Sequence, residues 1–276
     1  MHQNNKQIEG KPLIANTATG ERYAKSIKRL MRVMHKEALN GIQSCFEAYA
    51  EDDVLPKNGS IVAQLRILFS RLLSKYNPIF AILAKKSTAR MVQETLKHST
   101  STIKMSLKEV GKDLTVNPDF MDDRLKDITQ SSTLEAVSLI KTLPEKYLGD
   151  VQKVLTHSIS TKGKGFAELK PFLQKLYKGN ERKAELVALD QTRKAYHSIQ
   201  AHKLQKMGVN KFKWLHSGGG REPRALHVKL SGRVFSFDDP PYIGDMYGEK
   251  VYGLPGHLPN CACSMKPVFD FEVEDD

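Results

Sequence analysis

The sequence predicts an α+β protein that is predominantly α, with a long helical N-terminal region followed by a small mixed α+β C-terminal module. Three observations carry this expectation. Before Gly208 apolar residues recur at steps of three and four; Gly208 itself is a good helix C-cap; beyond it the chain turns rich in Gly, Pro and aromatics arranged in short runs.

The first helix is marked by Tyr23, Ile27, Leu30, Met34, Ala38, Ile42 and Cys45, one stripe along a single face. On that stripe Cys45 is expected to be a small buried hydrophobe. A second helical stretch begins at Ser60, shows Ile61, Leu65, Leu68 and Leu72 on one face, and is expected to break at Asn77-Pro78 before the pattern resumes. Another break follows at Asn117-Pro118. Helical periodicity then returns through Leu134, Val137 and Ile140, and again through Leu148, Val151 and Leu155. Two further helices, separated by "KGNE", lead to Gly208, and no strand signal precedes this point. After it, "KFKWLHS", "GRVFSF" and "CACSMKPVFDF" read as short strands joined by long loops. The change of composition marks an expected domain boundary near Gly208, with the helix from about Glu181 packing on the strands, and the chain is expected to end in a solvated acidic tail over 269–276.

Composition narrows the function classes. The chain has 276 residues, enough for two modest domains, and no apolar run long enough for a membrane span or a secretory signal. The expected setting is cytoplasm, with reduced thiols, because three cysteines cannot form a disulfide framework. The net charge of +12 is uneven: residues 1–209 hold 35 Lys or Arg against 21 Asp or Glu, and the remainder eight against ten. A net +14 on the helical part favours polyanions, nucleic acid first, in a salt-dependent and sequence-independent way. Lysines that merely solvate helix faces are the alternative.

The chemistry-bearing residues cluster near the C terminus, where "LPGHLPNCACSMKPV" places two cysteines one residue apart. On a strand Cys261, Cys263 and Met265 would share one face. A disulfide within the pair would close a strained ring. Structural zinc could be held by Cys261, Cys263, His257 and His227, although C-x-C is a weaker signal than a C-x2-C knuckle; metal-free cysteines anchoring a strand are the alternative. In "WLHSGGGREPRALHVKLSG", His216, Arg224 and His227 could serve as acid, base and phosphate clamp of a nuclease, or could simply hold irregular structure together. Trp214, the single tryptophan, reads as a core anchor.

Taken in order, "ALDQTRKAYHSIQAHKLQKMGV", "KFKWLHS", "EPRALHVKLSGRVFSFDDPP" and "LPGHLPNCACSMKPV" resemble the minor head, or head morphogenesis, proteins of tailed bacteriophages, the phage Mu F-like proteins. The matching positions are Asp190, Gln191, Thr192, Trp214, Arg224, His227, Gly232, Phe235, Pro259, Asn260, Cys261 and Cys263. Several weak motifs in a fixed order are more specific than any one of them; the resemblance covers residues 158–268 and implies a mixed module there, preceded by a helical arm or bundle over residues 1–157. Family members often carry Arg between the two cysteines, where this chain has Ala262. The resemblance implies a non-enzymatic minor virion component that joins the procapsid at the portal vertex and assists head assembly, genome packaging or early DNA ejection. It implies as partners the portal protein, other head or scaffolding proteins and non-specifically bound double-stranded DNA, with no membrane. The implied location is the capsid interior near the portal, after assembly in host cytoplasm. Asp190, Trp214, Arg224, His227, Gly232, Asn260, Cys261 and Cys263 would then stabilise the module, with Arg224 paired to Asp190 or Asp238. Two other readings stay open: a nuclease or toxin-like effector module, and a non-specific DNA-binding protein.

Overall fold

A computed structural model describes residues 6–51, 60–110, 117–161, 165–219 and 222–271. Its elements run β1 (Lys6–Glu9), α1 (Thr17–Glu51), α2 (Ile61–Glu109), α3 (Asp123–Lys141), α4 (Leu143–Ser160), α5 (Phe166–Lys206), β2 (Lys211–Leu215), α6 (Ala225–Leu230), β3 (Val234–Ser236), β4 (Tyr242–Met246), β5 (Glu249–Tyr252) and β6 (Ser264–Phe271). Long helices ahead of a small sheet give the α+β, predominantly α class that the sequence predicts. Two compact units divide the chain, one of residues 1–20, 89–134 and 189–276, the other of residues 21–88 and 135–188. Helices α1, α2, α3 and α5 therefore supply residues to both. Among the described residues no helix is long and apolar enough to cross a membrane.

Among the described residues, the unit of residues 21–88 and 135–188 has helices as its regular elements and no strand. The α1 stripe is buried at Tyr23, Ile27, Met34, Ala38 and Ile42, whereas Cys45 is only half-buried, because the stripe reaches the edge of the packed face there. Burial still pushes the Cys45 thiol pKa up. The expected break at Asn77-Pro78 does not occur, and α2 runs through Pro78. A proline inside a helix costs about 3 kcal/mol. Leu68, Phe69, Leu72, Tyr76, Phe80 and Ala84 are buried on both sides of it, each burial contributing roughly 1.5–3 kcal/mol for the larger side chains, so packing outweighs the local defect. Just before the proline, Lys75 and the Tyr76 hydroxyl both donate to Glu37 of α1, at 2.7 and 2.6 Å from Oε2. The expected break at "KGNE" is absent as well. Asn180 turns its side-chain amide back onto the Leu176 carbonyl at 3.1 Å, which keeps this polar residue compatible with a continuous α5.

His35 lies in this helical core, bonded to the Tyr147 hydroxyl and stacked on Tyr177 with ring centroids 4.1 Å apart. Burial lowers its pKa to about 4, against the weak opposing pull of Glu181. The folded state thus holds the proton more weakly than the unfolded chain. Stability from this group is full above about pH 6.5 and is lost as pH falls toward 4, by at most about 3 kcal/mol. Thermal unfolding from pH 7 to pH 4 is expected to show a decline that is shallower in His35→Gln than in the parent. Parallel profiles for the two proteins would contradict this.

The other unit is built on a four-stranded sheet in the order β1-β6-β2-β3 and a β4-β5 hairpin, with every pairing antiparallel. Strand β2 alternates half-buried and buried positions, so Phe212 and Trp214 point into the core. They meet Tyr196 and Leu204 of α5, Ile103 and Leu107 of α2, and Leu13, Leu258 and Met265. Three strands escape the sequence reading, β1, β4 and β5. Strand β1 has one apolar residue, Ile8, and exists because β6 offers it a ladder from Lys6↔Phe271 to Glu9↔Val268. The β4-β5 hairpin turns on Tyr247 and Gly248, both at positive φ (55° and 85°), which suits a tight two-residue turn. The expected acidic tail is shorter at its start, since Phe269, Asp270 and Phe271 belong to β6; residues 272–276 lie outside the described residues.

Candidate metal centre

The close cysteine pair is not on a strand. Cys261 and Cys263 occupy the loop that leads into β6, which begins at Ser264. The alternation expected of them survives, because both are buried and Ala262 between them is exposed. Two anchors hold this loop. Asp190 of α5 accepts the Asn260 N–H at 2.8 Å, and Arg224, just before α6, donates to the Pro259 carbonyl at 2.8 Å. Asn260 needs the first anchor, since its φ of 59° is one that most residues avoid. Arg224 thus hydrogen-bonds a carbonyl, while its charge also acts on Asp190 in the direction that lowers that carboxyl's pKa. Asp190 has Arg193 beside it at 3.6 Å, and Asp238 accepts from Gln205 at 2.8 Å. Burial raises the Asp190 pKa, and the bond from Asn260 opposes that shift.

His227 is buried on α6, and each of its ring nitrogens has a defined direction. Nε2 lies 2.9 Å from the Ile243 carbonyl, to which it donates. The remaining lone pair, on Nδ1, faces Cys261 Sγ at 3.4 Å and Cys263 Sγ at 3.7 Å. These three ligand atoms lie within 4.8 Å of one another, and they are the only group of metal-ligand type brought together among the described residues. The main-chain N–H of Gly256 also points at Cys261 Sγ, at 3.4 Å. Gly256 has a φ of 81°, and a Cβ there would come within 3.0 Å of His197. Only glycine fits that approach.

The two thiols act on each other. A hydrogen bond from Cys263 pulls the Cys261 pKa down against burial, with help from main-chain N–H groups of Cys263 and Gly256 and from His227. The same bond, with burial and the Cys261 charge, pushes the Cys263 pKa up. Ser217 N–H and the Trp214 indole act in the opposite sense on Cys263. Trp214 is fully buried, and its indole N–H has no hydrogen-bond partner at bonding distance. Its ring meets His227 edge-on, with centroids 5.2 Å apart and planes at 70°.

A cleft of about 370 Å³ opens onto the cluster and is also lined by His216, Glu222, Arg224 and Asn260. His216 accepts the Gly218 N–H at 3.1 Å through Nδ1. His227 lines the same cleft, with Nε2 turned to the Ile243 carbonyl and Nδ1 to the two sulfurs. His257, grouped with the cysteines on sequence grounds, sits elsewhere. Its Nε2 lies 3.2 Å from Ser198 Oγ and its Nδ1 accepts from Leu254 N–H. Of the remaining motif positions, Gly232 takes a φ of 80° in the turn after α6, and Phe235 pairs with Phe212 across β2 and β3.

The sequence reading missed His197. It is buried on α5 and hydrogen-bonds the main chain of Cys263, while burial lowers its pKa to about 3. Its spacing from Tyr196 and Ile199 reads as ordinary helix periodicity, so only the fold reveals it.

Residues 149–266 match the family of phage Mu protein F like proteins, the family that the ordered motifs resemble. Two relatives align over nearly the whole chain. One is an uncharacterised protein of Haemophilus influenzae, 23% identical over 265 residues, 94% of this chain and 55% of its own length. The other is the uncharacterised protein YqbB of Bacillus subtilis, 23% identical over 265 residues, 92% of this chain and 79% of its own length. The chain therefore spans only about half of the Haemophilus protein. No solved structure matches it significantly.

Proposed function

From the match of residues 149–266 to phage Mu protein F like proteins, we propose that this chain is a minor head protein of a tailed bacteriophage, joining the procapsid at the portal vertex during assembly in the host cytoplasm. That match is the observation that carries the reading. In this role the mixed module is a structural unit rather than a catalytic one. The helical unit supplies the contacts. Its α1 helix presents Lys25, Arg29 and Arg32 to solvent beside a groove of about 390 Å³ that Glu21 and Glu185 also line, and the basic excess of that face attracts packaged DNA without regard to sequence. Portal subunits and other head or scaffolding proteins are the protein partners of this reading.

The test is the composition of particles. Procapsids purified from cells producing the phage are expected to contain the protein at a few copies each, and affinity-tagged portal protein is expected to co-purify it. Its absence from both preparations, with the protein present in the lysate, would defeat the reading.

A further inference from the structure

We propose that His227, Cys261 and Cys263 bind one zinc ion, whose fourth coordination position faces the cleft. A tetrahedral zinc with bonds of about 2.3 Å to sulfur and about 2.0–2.1 Å to nitrogen separates a sulfur from a nitrogen ligand by roughly 3.5 Å. The observed separations of 3.4 and 3.7 Å straddle that value. The imidazole is set for ligation, since donation from Nε2 to the Ile243 carbonyl fixes the tautomer that leaves Nδ1 with its lone pair. The Gly256 N–H points at one sulfur, an arrangement that stabilises negative charge on a thiolate. Two thiolates and an imidazole select zinc over magnesium or calcium, which prefer oxygen.

The chain topology gives the ion a role. Its ligands come from α6 and from the loop before β6, more than thirty positions apart, so one ion would tie the short helix to the central strand of the sheet. The site takes three protein ligands. No other His, Cys, Asp or Glu among the described residues joins the cluster, and His257 is held by Ser198 and Leu254. Solvent in the cleft completes the tetrahedron. This inference stands independently of the head-protein reading.

The experiment is metal analysis of the full chain, purified under reducing conditions without chelator. About one zinc per chain is expected, retained in His257→Ala and lost in His227→Ala, Cys261→Ser and Cys263→Ser. Because those three variants could fail to fold, the parent protein is also loaded with cobalt. A thiolate-to-cobalt charge-transfer band and tetrahedral d–d bands are expected, and azide should shift the latter if the fourth position is open. A parent protein that is free of metal and gives no charge-transfer band, with its thiols shown to be reduced, would overturn the site. Loss of zinc in His257→Ala would overturn the ligand set, and d–d bands indifferent to azide would overturn the open position.

Discussion

Residues 149–276, expressed without the rest of the chain, are expected not to reach a stable fold, even though the family match begins at residue 149. The sheet they contribute is incomplete. Strand β6 is flanked by β2 on one side and by β1, residues 6–9, on the other. The segment after β1 continues the same edge, with Gly10 N–H donating to the Pro267 carbonyl at 2.9 Å and Leu13 N–H to the Met265 carbonyl at 2.7 Å. Removing it would leave a row of unpaired main-chain groups on the central strand. The core is incomplete too, because Leu13, Ile103 and Leu107 are buried against Trp214 and Met265. Together those three side chains account for roughly 5–8 kcal/mol, comparable to the whole stability of many domains. Circular dichroism and urea unfolding check this. A cooperative transition in the fragment at the full chain's midpoint would falsify it, and partial rescue by adding residues 1–16 and 89–134 would locate the missing contacts.

The same interdependence explains what could be read from the sequence. Helices were legible where one face stays buried for several turns, as with Ile27, Met34 and Ile42 in α1. Their ends were not, because a proline at 78 or a Gly-Asn pair at 179 and 180 weakens a helix locally while burial on either side decides the outcome. Strands β2, β3 and β6 showed alternation and aromatic content. Strand β1 showed neither, since its register is imposed by β6, a partner more than two hundred and fifty positions away. The candidate site was half legible. The cysteines and His227 stood out by residue type, but His227 and His257 are equivalent in sequence, and only the fold turns one toward the sulfurs and the other toward Ser198. His197 left no signal, because a buried histidine in a helical stripe looks like any other core position.

Trp214→Ala is expected to have the largest effect of any single substitution, lowering stability by about 3–5 kcal/mol and the melting temperature by on the order of 10 °C. The indole is fully buried, sits on β2 opposite Met265 of β6, and lies edge-on to His227. Truncation would leave a cavity between sheet and α6 that the surrounding strands, fixed by their ladders, cannot close. Trp214→Phe keeps an aromatic ring in place and should cost much less, about 1–2 kcal/mol. The ring also forms one wall against which the His227 imidazole is held, so its loss should loosen the aim of Nδ1 at the two sulfurs. A zinc-loaded Trp214→Ala protein would then release its ion to chelator faster than the parent, whereas His257→Ala would not. If the melting temperature of Trp214→Ala equals that of the parent, Trp214 is not the anchor on which the sheet and the cluster both depend. If stability falls but metal release is unchanged, the ring supports the sheet alone, and the Ile243 carbonyl suffices to orient His227.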